Sequence, residues 1–174
     1  MSKKKKIVLG ICGSVAAVRT VELVREFQRR GVDVEVVMTK AAQKLVGVDA
    51  LEWASEKQVV TKLSGKVEYL KSCGVGGDAS LLLICPATAN TISKIASGID
   101  DTTVTTYAST ALGSKCTVII VPAMHISLYE NPFVAENIQK LKKAGITVLD
   151  PKKEEGIAKL LDKLEIVDFV LGLL

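Results

Sequence analysis

The residues of this chain whose types and spacing could do chemistry fall in four loops, each placed just after a run of apolar residues. The first is Gly10-Ile11-Cys12-Gly13-Ser14-Val15-Ala16-Ala17. Glycine there lets the backbone approach an anion, Ser14 adds a hydroxyl, and a helix starting after it would present free N–H groups to a phosphate. A tight strand-to-helix turn uses the same residues with no ligand at all. Gly10-x-Cys12 breaks the G-x-G-x-x-G pattern, and the second apolar run ends in Thr39 rather than in the acid that grips an adenosine ribose. A G-K-[ST] triphosphate loop is also missing. A mononucleotide with a single phosphate, such as FMN, needs none of these. Thr39 suits its phosphate or ribityl chain, and equally suits a helix N-cap for Lys40-Ala41-Ala42.

The third loop, Cys85-Pro86-Ala87-Thr88-Ala89-Asn90-Thr91, is built of small residues with three hydrogen-bonding side chains in its last four positions. Small residues leave room for a flat ring, and Asn90 offers both donors and an acceptor to it. The fourth loop runs Val121-Pro122-Ala123-Met124-His125-Ile126-Ser127-Leu128-Tyr129-Glu130-Asn131-Pro132 and holds the one histidine of the chain. His125 is a candidate proton donor or acceptor near neutral pH, and a partly buried structural imidazole is the alternative.

The elements that must position these loops are short apolar runs at 7–11, 34–38, 81–84, 118–121 and 146–149, with amphipathic stretches between them. Runs apolar on both faces are strands of a parallel sheet covered on both sides. Ala17, Val21, Val24 and Phe27 form one helical stripe that Gly31 ends. Asn131 and Pro132 are an N-cap and first helical residue, followed by a stripe of Val134, Ile138 and Leu141 up to Gly145. Strand and helix in alternation predict an α/β fold with a doubly wound, mostly parallel sheet, whose ligand lies beyond the carboxyl ends of the strands. Residues 47–78, with Gly65, Gly74, Gly76 and Gly77, read as a mobile loop.

A chain of 174 residues, 48% hydrophobic and 24% charged, predicts one domain over 1–174 and excludes disorder and low-complexity polymers. The net charge of +4 owes much to Lys3-Lys4-Lys5-Lys6, which reads as a solvated tail. Aromatics make up only 4% of the residues, so base-stacking platforms are scarce and nucleic acid is not expected as a partner. Cys12, Cys73, Cys85 and Cys116 are scattered without a C-x-x-C pair, which fits buried thiols in a reducing compartment and, with one histidine, no metal site. Cys73, beside glycines, reads as a loop cysteine, with a reactive thiol or a cluster ligand as the alternatives. No stretch approaches the ~20 apolar residues of a membrane span, so a cytoplasmic protein with no membrane partner is expected.

Taken together, Gly13-Ser14-Val15-Ala16-Ala17, Val37-Met38-Thr39-Lys40-Ala41-Ala42, Pro86-Ala87-Thr88-Ala89-Asn90-Thr91 and Pro122-Ala123-Met124 with Leu128-Tyr129-Glu130-Asn131-Pro132 resemble the homo-oligomeric flavin-containing cysteine decarboxylases. That family includes phosphopantothenoylcysteine decarboxylase and the peptidyl-cysteine decarboxylases. The resemblance covers about residues 5–150 and implies a Rossmann-like, flavodoxin-like three-layer sandwich, bound FMN, and a homo-oligomer built on trimers. It places Gly13, Ser14 and Val15 at the phosphate end, Thr39 and Lys40 along the ribityl-phosphate, and Thr88, Ala89, Asn90 and Thr91 along the isoalloxazine beside Ala123.

Three departures stand against the family's chemistry. Its histidine ahead of the third strand is matched, by counting, to Ser72; its P-x-M-N asparagine is His125; and its cysteine-bearing C-terminal clamp is replaced by Asp150-Pro151-Lys152-Lys153-Glu154-Glu155-Gly156. These departures predict an FMN oxidoreductase or electron-transfer protein, with His125 as the catalytic proton carrier and a nicotinamide or redox protein as donor. The alternative is a decarboxylase of phosphopantothenoylcysteine or a related cysteinyl substrate. A third reading is a non-enzymatic FMN carrier whose lysine-rich start steers an acidic redox partner.

Overall fold

The computed structural model describes residues 5–174. Its elements run β1 (Lys6–Ile11), a 3-10 turn (Val15–Arg19), α1 (Thr20–Arg29), β2 (Asp33–Met38), a second 3-10 turn (Ala42–Lys44), α2 (Val48–Ser55), α3 (Glu68–Cys73) and β3 (Leu81–Ala87). They continue with α4 (Ala89–Ala96), α5 (Thr103–Ser114), β4 (Thr117–Pro122), β5 (Met124–His125), α6 (Ile126–Tyr129), α7 (Pro132–Lys143), β6 (Thr147–Val148), β7 (Lys152–Glu154), β8 (Ile157–Lys159) and α8 (Lys163–Leu173).

Five strands form a parallel sheet in the order β2-β1-β3-β4-β6. Alternate residues along each strand enter opposite cores, as a period of two requires. Ile7, Leu9, Ile11, Leu81, Leu83, Ile119 and Val121 pack beneath α1, α2 and α8. Val8, Leu82, Ile84, Val118 and Ile120 pack beneath α4, α5 and α7. This is the doubly wound three-layer sandwich expected from the continuous apolar runs. The chain leaves β1 for β2 on one side and returns to β3 on the other, so a switch point opens between β1 and β3 at their carboxyl ends.

Two sequence expectations need correction. Residues 47–78 are not one loop: α2 buries Leu51 and Ala54, Val60 bridges Val37 in parallel, and α3 buries Ser72 and Cys73. Lys6 is not a solvated tail residue; it begins β1 and pairs with Glu35 at 2.8 Å and Asp78 at 2.6 Å, while Lys3 and Lys4 lie outside the described residues. The apolar C-terminal run is a helix, α8, capped by Asp162, with Ile166, Val167 and Val170 buried against the core.

A second, antiparallel sheet in the order β5-β8-β7 stands over the carboxyl edge of the first. Among the described residues no helix is long and apolar enough to cross a membrane.

Candidate functional site

Each of the four loops leaves the carboxyl end of a strand, and all four meet in one cavity of about 1000 Å³. That lies at the top of the ~300–1,000 Å³ range of small-molecule sites. From the β1 loop it takes Gly13, Ser14 and Val15, and from the β2 loop Thr39 and Lys40. Thr88, Ala89, Asn90 and Thr91 enter from the β3 loop, and Ala123 and His125 from the β4 loop. All eleven residues singled out from the sequence therefore line the same space.

Local chemistry explains how each loop is held. Ser14 caps the first 3-10 turn, its Oγ accepting the Ala16 N–H at 3.3 Å. The β1 and β2 loops touch so closely at Gly13 that a Cβ there would lie 2.5 Å from the Ala41 Cβ. A hydrogen is all that fits. Thr39 Oγ1 accepts the Ala42 N–H at 3.2 Å, so its capping role is realised while the residue also faces the cavity. Thr88 caps α4 by accepting the Thr91 N–H at 3.3 Å, leaving Asn90 exposed in the first turn. The Ala123 N–H reaches the Ala87 carbonyl at 3.1 Å, joining the β3 and β4 loops.

His125 is exposed and caps α6: its Nδ1 accepts the Ser127 backbone N–H at 3.3 Å and lies 2.8 Å from Ser127 Oγ. Behind it, the Tyr129 hydroxyl donates to Asp150 at 3.1 Å. Burial, helped by that carboxylate, pushes the phenol up to about 12, so it stays neutral. Burial also pushes Cys12, the buried thiol of the β1 loop, up to about 11, despite hydrogen bonds with Thr91 and Thr88. Cys12 is therefore no thiolate nucleophile.

Several lining residues escaped the sequence reading. Thr102 faces the cavity and caps α5 in a capping box with Thr105, a signal the sequence does carry. Arg19, Ile157, Ala158, Lys159 and Leu160 are further lining residues. The last four arrive because β8 pairs with β5 (Met124 with Ala158, His125 with Ile157), a long-range contact with no local signature. The lining contains Arg19, Lys40 and Lys159 and no carboxylate, a charge balance that suits an anionic ligand.

The departures look different in three dimensions. Ser72 does not face the cavity; it is buried on α3, donating to Glu35 Oε2 at 2.7 Å beside Lys6, at the opposite end of the sheet. Residues 150–156 lead through β7 into the turn before β8, so a hairpin stands at the cavity where the missing clamp was inferred.

A doubly wound sheet with a small-residue cavity across its switch point, glycine-tight at one end and cationic at its rim, defines an α/β protein for a flat, phosphate-bearing ligand. The flavoprotein family matches residues 1–174, and the chain belongs to that family. It is 49% identical over 164 residues to the coenzyme A biosynthesis bifunctional protein CoaBC of Thermococcus kodakarensis, covering 94% of this chain and 40% of that one. The chain thus spans about two-fifths of the length of the curated relatives it matches.

Among solved structures it resembles the FMN-dependent cysteine decarboxylase SpaF, with a TM-score of 0.81, 26% identity and coverage of 98% and 97% of the two chains. It also resembles a PPC decarboxylase mutant complexed with pantothenoylaminoethenethiol, with a TM-score of 0.79, 26% identity and coverage of 97% of each chain.

FMN, the cofactor expected from the sequence, stands: the family is that of flavoproteins and the SpaF likeness is to an FMN-dependent enzyme. The oxidoreductase or electron-transfer function does not stand. The relatives are CoaBC proteins and the structural neighbours include FMN-dependent cysteine decarboxylases, and nothing among them supports the nicotinamide or protein redox donor.

Proposed function

We propose that this chain holds FMN in the cavity and decarboxylates a cysteinyl substrate, phosphopantothenoylcysteine or a close relative. The observation that carries this reading is the convergence of the four strand-end loops and the β7–β8 hairpin on one cavity whose charged lining residues are all cations. The likeness to CoaBC proteins and to a PPC decarboxylase supports it.

In this reading Gly13, Ser14 and Val15 hold the phosphate end of the cofactor, Thr39 and Lys40 its ribityl-phosphate, and Thr88, Ala89, Asn90, Thr91 and Ala123 its ring. The fit rests on the close approach at Gly13, where any larger residue would push the two phosphate-side loops apart. When bound, FMN supplies the two-electron acceptor that oxidises the substrate's thiol end.

The chain's own residues orient the substrate. With Nδ1 accepting the Ser127 N–H, Nε2 is the ring atom left to donate a hydrogen bond to the substrate carboxylate. Ile157, Ala158 and Leu160 close the cavity with apolar surface and exclude water, while Lys159 adds a positive charge at the same wall. We take residues 1–174 as one functional unit. We further propose a trimer-based homo-oligomer, because Val15 and Val18 beside the cavity are 76% and 55% exposed and Phe133 is 74% exposed.

The test is anaerobic incubation of the FMN-reconstituted protein with phosphopantothenoylcysteine. Release of carbon dioxide, with an enethiol product by mass spectrometry, is expected. An FMN-loaded protein that releases none from this or other cysteinyl substrates overturns the reading.

A further inference from the structure

Outside the cavity, one hydrogen bond joins the helix that His125 caps to the foot of the β7–β8 hairpin. Tyr129, the last residue of α6, donates its hydroxyl to Asp150 Oδ1 at 3.1 Å. Asp150 stands where the main sheet hands over to the hairpin: the Leu149 N–H reaches the Ile120 carbonyl of β4 at 2.9 Å, and β7 starts at Lys152. Lys142 of α7 fixes the same carboxylate, reaching its two oxygens at 3.0 and 3.2 Å. From β7, Lys153 lies 5.5 Å from the centre of the Tyr129 ring and pairs with Glu130 at 2.9 Å. Tyr129, half-buried against the core beneath α4, α5 and α7, is thus the point where α6, α7 and the hairpin meet.

We propose that Tyr129 and Asp150 are positioning residues, whose hydrogen bond fastens the hairpin to α6 and so holds His125 and the apolar wall in place toward the substrate. The role in substrate binding rests on the decarboxylase reading above. Neither residue lines the cavity, but each holds groups that do. His125 is the N-cap of the helix that Tyr129 ends, and the hairpin delivers Ile157, Ala158 and Leu160.

The hairpin needs such a fastening because its other ties are slight. It joins β5 through only the pairs Met124 with Ala158 and His125 with Ile157, extended by the Ile126 N–H on the Gly156 carbonyl at 2.9 Å. Every residue of β7 is exposed, and a small sheet without a buried face of its own is marginal in water. The ion pair of Lys152 with Glu165 of α8 is half-exposed on both sides and contributes little. The Tyr129 bond is better placed, since one partner is packed against the core. Burial, then the Asp150 carboxylate, pushes the phenol up to about 12, so the donor keeps its proton through the neutral and mildly alkaline range.

The test is amide hydrogen exchange, read by mass spectrometry on the FMN-loaded protein and its Tyr129→Phe, Asp150→Ala and Asp150→Asn variants. The first two lose the bond, whereas asparagine keeps an acceptor oxygen for the phenol. Tyr129→Phe and Asp150→Ala should speed exchange in the peptides of β5 and β8 by about three- to tenfold, the effect of one modest hydrogen bond on a local opening, and leave β1, β3 and β4 at the parent rate. Asp150→Asn should exchange as the parent does. With phosphopantothenoylcysteine, the first two variants should raise KM by about three- to tenfold at parent FMN content, with a smaller effect on kcat, and Asp150→Asn should stay near the parent. Unchanged exchange in β5 and β8, exchange that rises equally across the main sheet, or an Asp150→Asn variant as fast as Asp150→Ala would each overturn the proposal. Exchange needs no substrate, so a parent protein that releases no carbon dioxide counts against the decarboxylase reading while the exchange rates still decide whether this bond holds the hairpin.

Discussion

The Nδ1 of His125 accepts the backbone N–H of Ser127 at 3.3 Å and stands 2.8 Å from the Ser127 hydroxyl. The cap makes the imidazole a donor through Nε2, which is what an asparagine amide at the same place would also be. In the proposed reading, the exchange of asparagine for histidine, which on the sequence argues against decarboxylation, leaves a hydrogen-bond donor at the same place.

His125→Asn should keep FMN bound and retain decarboxylation within about tenfold, because a donor remains. His125→Ala should lower carbon dioxide release by roughly tenfold to 10²-fold, the effect of losing a hydrogen bond of about 1.5–3 kcal/mol to a charged group. Flavin absorbance separates cofactor loss from slowed turnover. Equal losses in the two variants would mean that the ring acts through proton transfer.

Gly13→Ala tests the close approach of the β1 and β2 loops. The new methyl would lie 2.5 Å from the Ala41 Cβ, so the loops must separate. Overpacking of this kind costs about 1–3 kcal/mol, or roughly 2–4 °C of melting temperature per kcal/mol in a chain of this size. FMN content after reconstitution should fall with it. Adding Ala41→Gly should restore both, and a double variant no better than Gly13→Ala would show that something other than that contact is at fault.

The strands, the two-sided core and all four loops were legible in the sequence because each is a local pattern: an apolar run, a small-residue turn, a cap. What escaped was non-local. Ser72 was matched to a lost histidine by counting along the chain, but α3 turns it toward Glu35 and Lys6. The pairing of His125 with Ile157 is invisible to any window of sequence, so the hairpin read as a missing clamp. Residue types alone carry neither the partner of His125 Nδ1 nor the position of the hairpin, and so they favour an oxidoreductase that the relatives do not support.

Lys6 joins Glu35 and Asp78 at the far edge of the sheet, where Ser72 and the Tyr107 hydroxyl also donate to Glu35. Lys6→Met should destabilise the protein by up to about 3 kcal/mol, the low end for a broken buried pair, since the two side chains keep 14% and 16% exposure. Burial works against the Lys6 ammonium, but the hydrogen bonds to Asp78 and Glu35 prevail and raise it above 10.5. Its contribution is therefore complete below about pH 10.5 and fades as pH climbs through the raised folded value. Denaturant titrations should show the gap between parent and Lys6→Met closing in alkali. A gap that persists unchanged would mean that packing of the lysine stem, not its charge, holds this edge.

The hairpin supplies the last prediction. Gly156 sits at φ +73°, its carbonyl accepts the Ile126 N–H at 2.9 Å, and the His125 Nε2 lies 4.0 Å from where its Cβ would be. A β-branched residue in the left-handed region is strained, and its side chain would press on the imidazole. Gly156→Val should therefore displace the turn, loosen the pairing of β8 with β5, and shift both the donor and the apolar wall away from the substrate. In the proposed reading most of the cofactor is held by the β1, β2 and β3 loops, which leave the main sheet and do not pair with this hairpin. FMN content should stay at the parent level while KM for the cysteinyl substrate rises tenfold or more. Unchanged KM would free the hairpin of any part in substrate binding, whereas loss of FMN would show that it closes over the cofactor instead.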